Sequence, residues 1–200
     1  SHVRVKDGEG AVEGDFELAG VAGRGARITL DFTDPGGAGT GRLLPTGKAR
    51  EWIAGAEASL VDATNPMVFA RATDLGLVGT ESPQAIDADR GLAARLEAIR
   101  VEAAARMGMS GSAAVPKIAM VSAPVGFAAL DGTRYESDRV DVVARVISMG
   151  NCHRAFALTA AMCLAVAGRV DGTLVPEYAG NVAGDFPPGH PSGGPPNAAA

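Results

Sequence analysis

The chain is poor in the residues that build metal centres and nucleic-acid surfaces. Its 200 residues include two cysteines and three histidines, and their spacing fits no metal site. Lysine and arginine form no cluster with interleaved aromatic residues, so nucleic acid is not expected as a partner. No secretory leader is recognisable. We therefore expect a cytoplasmic protein with reduced thiols, no metal and no membrane association.

Aromatic residues are also scarce, at 4%, whereas glycine occurs 27 times. The core must therefore be built from alanine, valine and leucine, with many tight turns. A hydrophobic content of 46% in 200 residues is enough for a substantial core, in one domain or two small ones. The formal net charge of −5 is spread along the chain. These features are typical of a soluble globular protein with compact, β-rich packing.

Residues 139–169 predict a strand, a tight turn and a helix with almost no polar face. Four apolar residues of the strand point to one face, namely Val140, Val142, Ala144 and Val146. This period of two is typical of a half-buried strand. From residue 155 to residue 167 only Thr159 is polar. A helix that is apolar nearly all round should be enclosed by protein on every side.

The turn between this strand and helix is a candidate anion site. It consists of Ser148, Met149 and Gly150, followed by Asn151, which is expected to cap the helix with its side chain. Free N–H groups at such a helix start, together with the helix dipole, favour an anion such as a carboxylate. Since many turns before helices bind nothing, the sequence leaves both interpretations open.

A second helix is predicted over residues 87–107. Asp87 is expected to cap it, and Gly108 to end it. Its apolar positions form one stripe, made of Leu92, Leu96, Ile99, Ala103 and Met107. Glu102 and Arg106 are spaced to pair on the solvent side. Such an amphipathic helix should pack on the outside of another element.

Short strands are predicted elsewhere in the chain. They cover residues 27–33, two runs within 57–71 that break at Asn65-Pro66, residues 116–122 and residues 173–178. Residues 34–48 form a long glycine-rich loop. Ala49 follows Lys48 where a nucleotide-binding loop requires serine or threonine, so a nucleotide is not expected there.

Four stretches occur in a characteristic order: DFTDPGGAGTGRLLPTG, SLVDATNPMVFARATDLGLVGTE, ISMGNCHRAFALTAAMCLAVA and GHPSG. Together they resemble the family of methylaconitate isomerases, 3-methylitaconate isomerases and 4-oxalomesaconate tautomerases. The resemblance implies an α+β, diaminopimelate-epimerase-like fold, in which a curled, mostly antiparallel sheet wraps around a central apolar helix. The implied division is 1–75 for the end of a first domain, 76–114 for a connecting segment with the amphipathic helix, and 115–200 for an incomplete second domain.

The implied activity is a cofactor-independent allylic proton shift that moves a double bond in an unsaturated di- or tricarboxylate. The family's proton-transfer residues, a cysteine and a lysine, are expected upstream of residue 1, so no catalytic residue is expected here. Cys152 stands where relatives tend to have proline. Cys163 lies within the apolar helix and is interpreted as a packing residue.

The resemblance carries over seven substrate-binding residues: Asn65, Ser148, Met149, Gly150, His190, Ser192 and Gly193. His153 and Arg154 either contact substrate or hold the helix start through neighbouring loops. Arg145 could pair with a substrate carboxylate or with Asp141 on its own strand face.

Two main hypotheses follow. The first is the isomerase, acting on a small polycarboxylate, with a homodimer left open. The second is a non-catalytic carboxylate-binding or interaction module that retains the fold. A cofactor-independent amino-acid epimerase is a third, but it would be expected to carry an acidic residue followed by arginine where Ser148 and Met149 stand.

Overall fold

The structure, a computed structural model, describes residues 2–3, 5–6, 8–17, 23–129, 132–179 and 198–199. Its strands in chain order are β1 His2–Val3, β2 Val5–Lys6, β3 Glu9–Gly10, β4 Ile28–Thr29, β5 Glu51–Ile53, β6 Ala56–Ala63, β7 Asn65–Arg71, β8 Lys117–Ser122, β9 Phe127–Ala128, β10 Arg134–Tyr135, β11 Val142–Ser148, β12 Asn151–Cys152 and β13 Ala198–Ala199. Its α-helices are α1 Pro83–Ala88, α2 Arg90–Arg106 and α3 Leu158–Ala167, and 3₁₀ turns occur at Thr73–Leu75, Ser137–Arg139 and Val175–Glu177.

A seven-stranded sheet organises the chain. Its strand order is β12-β11-β8-β7-β6-β5, and β13 also pairs with β11. The β7–β8 and β11–β13 pairs are parallel, and the other pairs in this sheet are antiparallel. β7 and β8 can be parallel because α1 and α2 form the long connection between them. The predicted α+β class and mostly antiparallel sheet are confirmed.

One face of the sheet is covered by α1 and α2. The predicted apolar stripe of α2 is buried there against Ile118, Met120 and other sheet residues. The helix starts later than predicted, because the Asp89 carboxylate accepts a hydrogen bond from the Leu92 N–H at 2.9 Å and caps α2. Asp87 lies in α1 instead, so its predicted role as the cap was wrong.

The opposite face of the sheet packs against α3. Val142, Ala144 and Val146 share a buried cluster with α3, which confirms the predicted alternation along β11. However, Arg145 and Ile147 on the other face are buried too. The prediction of a half-buried strand was therefore wrong, because β11 lies inside the sheet and both of its faces are covered.

The start and the enclosure of α3 differ from the prediction. Asn151 does not cap α3; it lies in β12, and its Nδ2 donates to the Met149 carbonyl at 3.2 Å. The N-cap position is Ala157, which provides no side-chain cap. Leu158 is 56% exposed. In the part of the chain that the structure describes, α3 is thus buried mainly on its sheet side, and its enclosure on every side stays a prediction.

Other predicted strands had mixed outcomes. The two strands within residues 57–71 are confirmed as β6 and β7, with the break at Thr64. The strand predicted over 27–33 is reduced to β4, and the strand predicted over 173–178 is a 3₁₀ turn. Pro176 lacks the backbone N–H that a strand ladder needs, which favours the turn.

The parts of the chain on either side of segment 76–114 share one sheet, since β7 pairs with β8. The division into 1–75, 76–114 and 115–200 stays a prediction. Within the described ranges, no helix has the length and apolar character needed to cross a membrane.

Candidate functional site

Two of the predicted binding elements lie at the same end of the sheet. β7 and β8 run parallel and β11 runs antiparallel to β8, so the starts of β7 and β8 meet the end of β11. Asn65 is the first residue of β7, and Ser148 is the last residue of β11. With β8 between them, β7 and β11 lie two strand spacings apart, roughly 10 Å.

Asn65 lies beside the first turn of α3. Its Nδ2 donates to the Thr159 hydroxyl oxygen at 3.3 Å, and the neighbouring Thr64 hydroxyl donates to the Thr159 carbonyl at 2.8 Å. Thr64 has a left-handed φ of +64°, which allows the tight turn between β6 and β7. This turn therefore holds Asn65 against the helix start.

The polar groups at this helix start are only partly satisfied. The Asn65 Oδ1 is buried and has no hydrogen-bond partner among the described residues. The first N–H groups of any α-helix lack partners within the helix, and Ala157 supplies no side-chain cap. Since a buried polar atom without a partner is uncommon, this corner of the fold fits a site that another polar group completes.

Ser148, Met149 and Gly150 belong to a tight β-hairpin. Met149 and Gly150 have φ values of +50° and +78°, as a two-residue hairpin turn requires. The turn borders a small cavity of about 40 Å³ on the α1–α2 side, whose lining includes Ile86, Asp87, Leu96, Arg100, Met149 and Gly150. The hairpin turn thus lies at the same end of the sheet as Asn65, but it borders the face covered by α1 and α2, whereas Asn65 contacts α3 on the other face.

Neither cysteine has the character of a proton-transfer thiolate. Burial raises the pKa of the Cys152 thiol. The Asp87 carboxylate raises this pKa further, and the positive charges of Arg145 and Arg154 only partly oppose the rise. Burial raises the pKa of Cys163 to about 12, and its Sγ lies 3.5 Å from the Val61 carbonyl oxygen. Both thiols are therefore protonated near neutral pH.

The charged residues around the hairpin form contacts within the fold. The Cys152 N–H donates to Asp87 Oδ1 at 2.7 Å, and Arg154 pairs with Asp87 Oδ2 at 2.9 Å. Arg145 Nε donates to the Glu81 carbonyl at 3.2 Å, and burial lowers the pKa of this guanidinium. The His153 N–H donates to the Val146 carbonyl at 2.8 Å. The Arg154–Asp87 ion pair favours the interpretation that Arg154 holds a neighbouring segment, here α1.

His190, Ser192 and Gly193 lie outside the described residues. In the described ranges, no group of three or more histidine, cysteine, aspartate or glutamate side chains could hold a metal ion. Sequence reasoning missed the role of Thr159 beside Asn65. The signal was its position as the one polar residue in a long apolar helix.

The sequence is similar to the sequences of one protein family. The sequence profile described as "PrpF protein" matches residues 1–195. A 3-methylitaconate isomerase from Eubacterium barkeri is 36% identical, covering 88% of this chain and 50% of that protein. A 2-methyl-aconitate isomerase from Shewanella oneidensis is 35% identical, covering 96% of this chain and 53% of that protein. A 4-oxalomesaconate tautomerase from Pseudomonas putida is 33% identical, covering 96% of this chain and 52% of that protein.

A solved structure agrees with the sequence comparisons. The crystal structure of a methylitaconate-delta-isomerase superimposes with a TM-score of 0.83 at 35% identity, covering 92% of this chain and 50% of that one. The chain spans about half the length of the curated relatives it matches.

Proposed function

The chain belongs to the PrpF protein family, and from this membership we propose that the complete protein is a cofactor-independent isomerase or tautomerase. Its substrate is an unsaturated di- or tricarboxylate of the methylaconitate, methylitaconate or 4-oxalomesaconate type. The observation that carries this proposal is that relatives 33–36% identical are each named for isomerising one of these acids. The expectation of a cytoplasmic enzyme belongs to the same proposal.

Asn65 is the central binding residue of this proposal. Amide oxygen and nitrogen are assigned from the hydrogen-bond network, so the two can be exchanged. With the Asn65 amide turned over, the Thr159 hydroxyl donates to Oδ1, and Nδ2 occupies the position that now lacks a partner. A substrate carboxylate would then accept from Asn65 Nδ2 and be favoured by the positive end of the α3 dipole.

Ser148, Met149 and Gly150 are proposed to contact another part of the substrate. Met149 is 67% exposed at the tip of the hairpin, beyond the end of the sheet, so the turn is open to a ligand. His190, Ser192 and Gly193 complete the proposed binding set. Two or three carboxylates on one substrate need several such donor groups, which supports a site assembled from separate segments.

The proton-transfer groups are proposed to come from a part of the protein outside the described residues, since Cys152 and Cys163 are protonated thiols. A base removes a proton from the carbon next to a carboxylate, and the electron pair spreads into a dienolate. An acid then returns a proton to the carbon at the far end of the allylic unit. The double bond moves and the composition is unchanged. Donors at the carboxylate next to the deprotonated carbon stabilise the developing charge, and Asn65 is proposed to hold a different carboxylate.

The finer description of the fold is also a proposal. In the complete protein, further strands would curl the sheet around α3 in the diaminopimelate-epimerase-like manner. The exposed Leu158 and the apolar composition of α3 support this arrangement, because such a helix is stable when it is covered on more than one side.

The test is to incubate the complete protein with each of the three acids and to follow the positional isomers by NMR. The proposal predicts conversion of at least one acid. Binding of an acid without any conversion would instead support the non-catalytic carboxylate-binding module. Size-exclusion chromatography with light scattering would decide whether the protein is a homodimer.

A further inference from the structure

Asp62 is a fully buried carboxylate on β6 that receives all its described hydrogen bonds from one loop. Its exposed fraction is 0%. Asp62 Oδ2 accepts from the Gly39 N–H at 2.8 Å, the Thr40 N–H at 2.6 Å and the Thr40 hydroxyl at 2.8 Å. Three donors on one carboxylate oxygen are charge-assisted and strong. The carboxylate therefore fastens this loop, residues 35–41, which we call the glycine loop.

The glycine loop is also held at its other contacts with the β6–β7 hairpin. The Asp62 carbonyl accepts from the Gly37 N–H at 2.7 Å, and the Pro35 carbonyl accepts from the Thr64 N–H at 2.8 Å. These bonds place the loop alongside the turn that precedes Asn65. The loop therefore lies against the same turn that presents the proposed binding amide.

The glycine loop also approaches the hairpin closely where Gly39 packs on Pro66. A Cβ atom added at Gly39 would lie 2.7 Å from Pro66 Cγ, a distance that no side chain tolerates without movement. Glycine is required here because the loop backbone packs directly on the proline ring. Any displacement of the loop would therefore change the contact surface of the residue next to Asn65.

We propose that Asp62 is a positioning residue for the substrate site, acting through Thr40 and the glycine loop. By holding the loop against Pro66, Asp62 fixes the turn from which Asn65 reaches the start of α3. A loop rich in glycine loses much conformational entropy on ordering, so it needs strong anchoring bonds. This inference rests on the proposed function, because it assigns to Asp62 the placement of the amide that binds substrate.

The test compares variants of the complete protein in steady-state kinetics. Thr40→Val removes one donor to Asp62 at nearly constant shape, and Thr40→Ser keeps the hydroxyl. Asp62→Asn keeps the shape of the acceptor and removes its charge. Because Asn65 binds a carboxylate and not the reacting carbons, we expect KM to rise about tenfold in Thr40→Val and Asp62→Asn with kcat nearly unchanged. Thr40→Ser should have the wild-type KM.

Ser59→Ala is the matched control. Ser59 is a buried residue on the same strand, and its hydroxyl bonds the Ala49 carbonyl at 2.6 Å and the Leu174 N–H at 2.9 Å. The substitution weakens β6 without touching the glycine loop, so KM should stay at the wild-type value. If KM rose equally in Ser59→Ala, the rise in Thr40→Val and Asp62→Asn would be explained by general destabilisation, and the inference would be overturned.

Amide hydrogen exchange measures the anchoring of the glycine loop independently of enzyme activity. The Gly39 and Thr40 amides should exchange faster in Asp62→Asn and Thr40→Val than in wild type and Ser59→Ala. Absence of any conversion by the wild-type protein would contradict the proposed function alone. Conversion by the wild type together with an unchanged KM in Thr40→Val, or unchanged exchange of these amides, would contradict the role of Asp62.

Discussion

The Nδ2 of Asn65 lies 3.3 Å from the hydroxyl oxygen of Thr159, and this contact joins the β6–β7 turn to the first turn of α3. The two residues are separated by 94 positions in the sequence. The contact places an amide group at the positive end of a helix dipole. This contact is therefore the place where we propose that a substrate carboxylate binds.

Replacing Asn65 by alanine should lower kcat/KM of the complete protein by about ten- to hundredfold, because one hydrogen bond to a charged group is lost. Asn65→Asp should be at least as damaging, since it places a negative charge against the substrate carboxylate. The measurement is the initial rate of isomerisation at several substrate concentrations. Thr159→Ser keeps the hydroxyl beside Asn65 and serves as the control, which should stay close to wild type.

The ion-pair group formed by Arg50, Arg71 and Glu177 should make stability depend on pH. Burial opposes ionisation of Glu177, but hydrogen bonds from Arg50 and Arg71 outweigh it and lower the pKa of this carboxyl. A lowered folded-state pKa means stability that is present above the ordinary glutamate value, about 4.3, and lost as the pH falls through the folded value.

Because the Glu177 side chain is 38% exposed, its contribution should stay below about 1 kcal/mol. Urea unfolding at pH 7 and near pH 3.5 should show a smaller loss of stability in Glu177→Gln than in wild type. An identical pH dependence in the two proteins would contradict this role of Glu177.

The structure assigns the cap of α2 to Asp89, and this assignment can be tested by substitution. Asp89→Ala should lower the free energy of unfolding by about 1 kcal/mol, because the Leu92 N–H loses its acceptor. Asp89→Asn retains an acceptor at the same place and should be nearly neutral. Chemical denaturation monitored by circular dichroism measures both. A neutral Asp89→Ala variant would show that the cap contributes nothing.

Cys163 should resist alkylation in the folded protein. Its thiol is buried, and its pKa of about 12 leaves almost no thiolate at pH 7 or at pH 9. Peptide-level mass spectrometry after iodoacetamide treatment should find Cys163 unmodified in native buffer and modified in urea. Rapid labelling of the native protein at pH 7 would contradict the buried position of this residue.

Local periodicity predicted the elements whose structure depends on nearby residues. The stripe of α2 and the alternation along β11 follow from the spacing of apolar side chains, and the Asn65-Pro66 turn signal marks the break between β6 and β7 to within one residue. The start of α3 could not be obtained in this way. Asn151 is a good capping residue and also a good hairpin residue, and the choice is made by pairing of β12 with β11.

The candidate site was predicted only in part for the same physical reason. Asn65 was predicted as a binding residue from its motif, whereas the contacts of Thr159 and Asp62 join residues that are far apart in the sequence. Asp62 bonds residues 22 and 23 positions earlier. Sequence spacing contains no direct signal for such contacts, whereas a buried carboxylate surrounded by loop N–H groups is evident once the fold is known.

We propose that the complete protein moves a double bond by an allylic proton shift. The most direct measurement is to incubate the complete protein in deuterated water with methylaconitate, methylitaconate or 4-oxalomesaconate and to locate the incorporated deuterium by NMR. We expect deuterium at an allylic carbon of at least one acid, together with the shifted double bond. Folded protein that incorporates no deuterium into any of the three acids would contradict it.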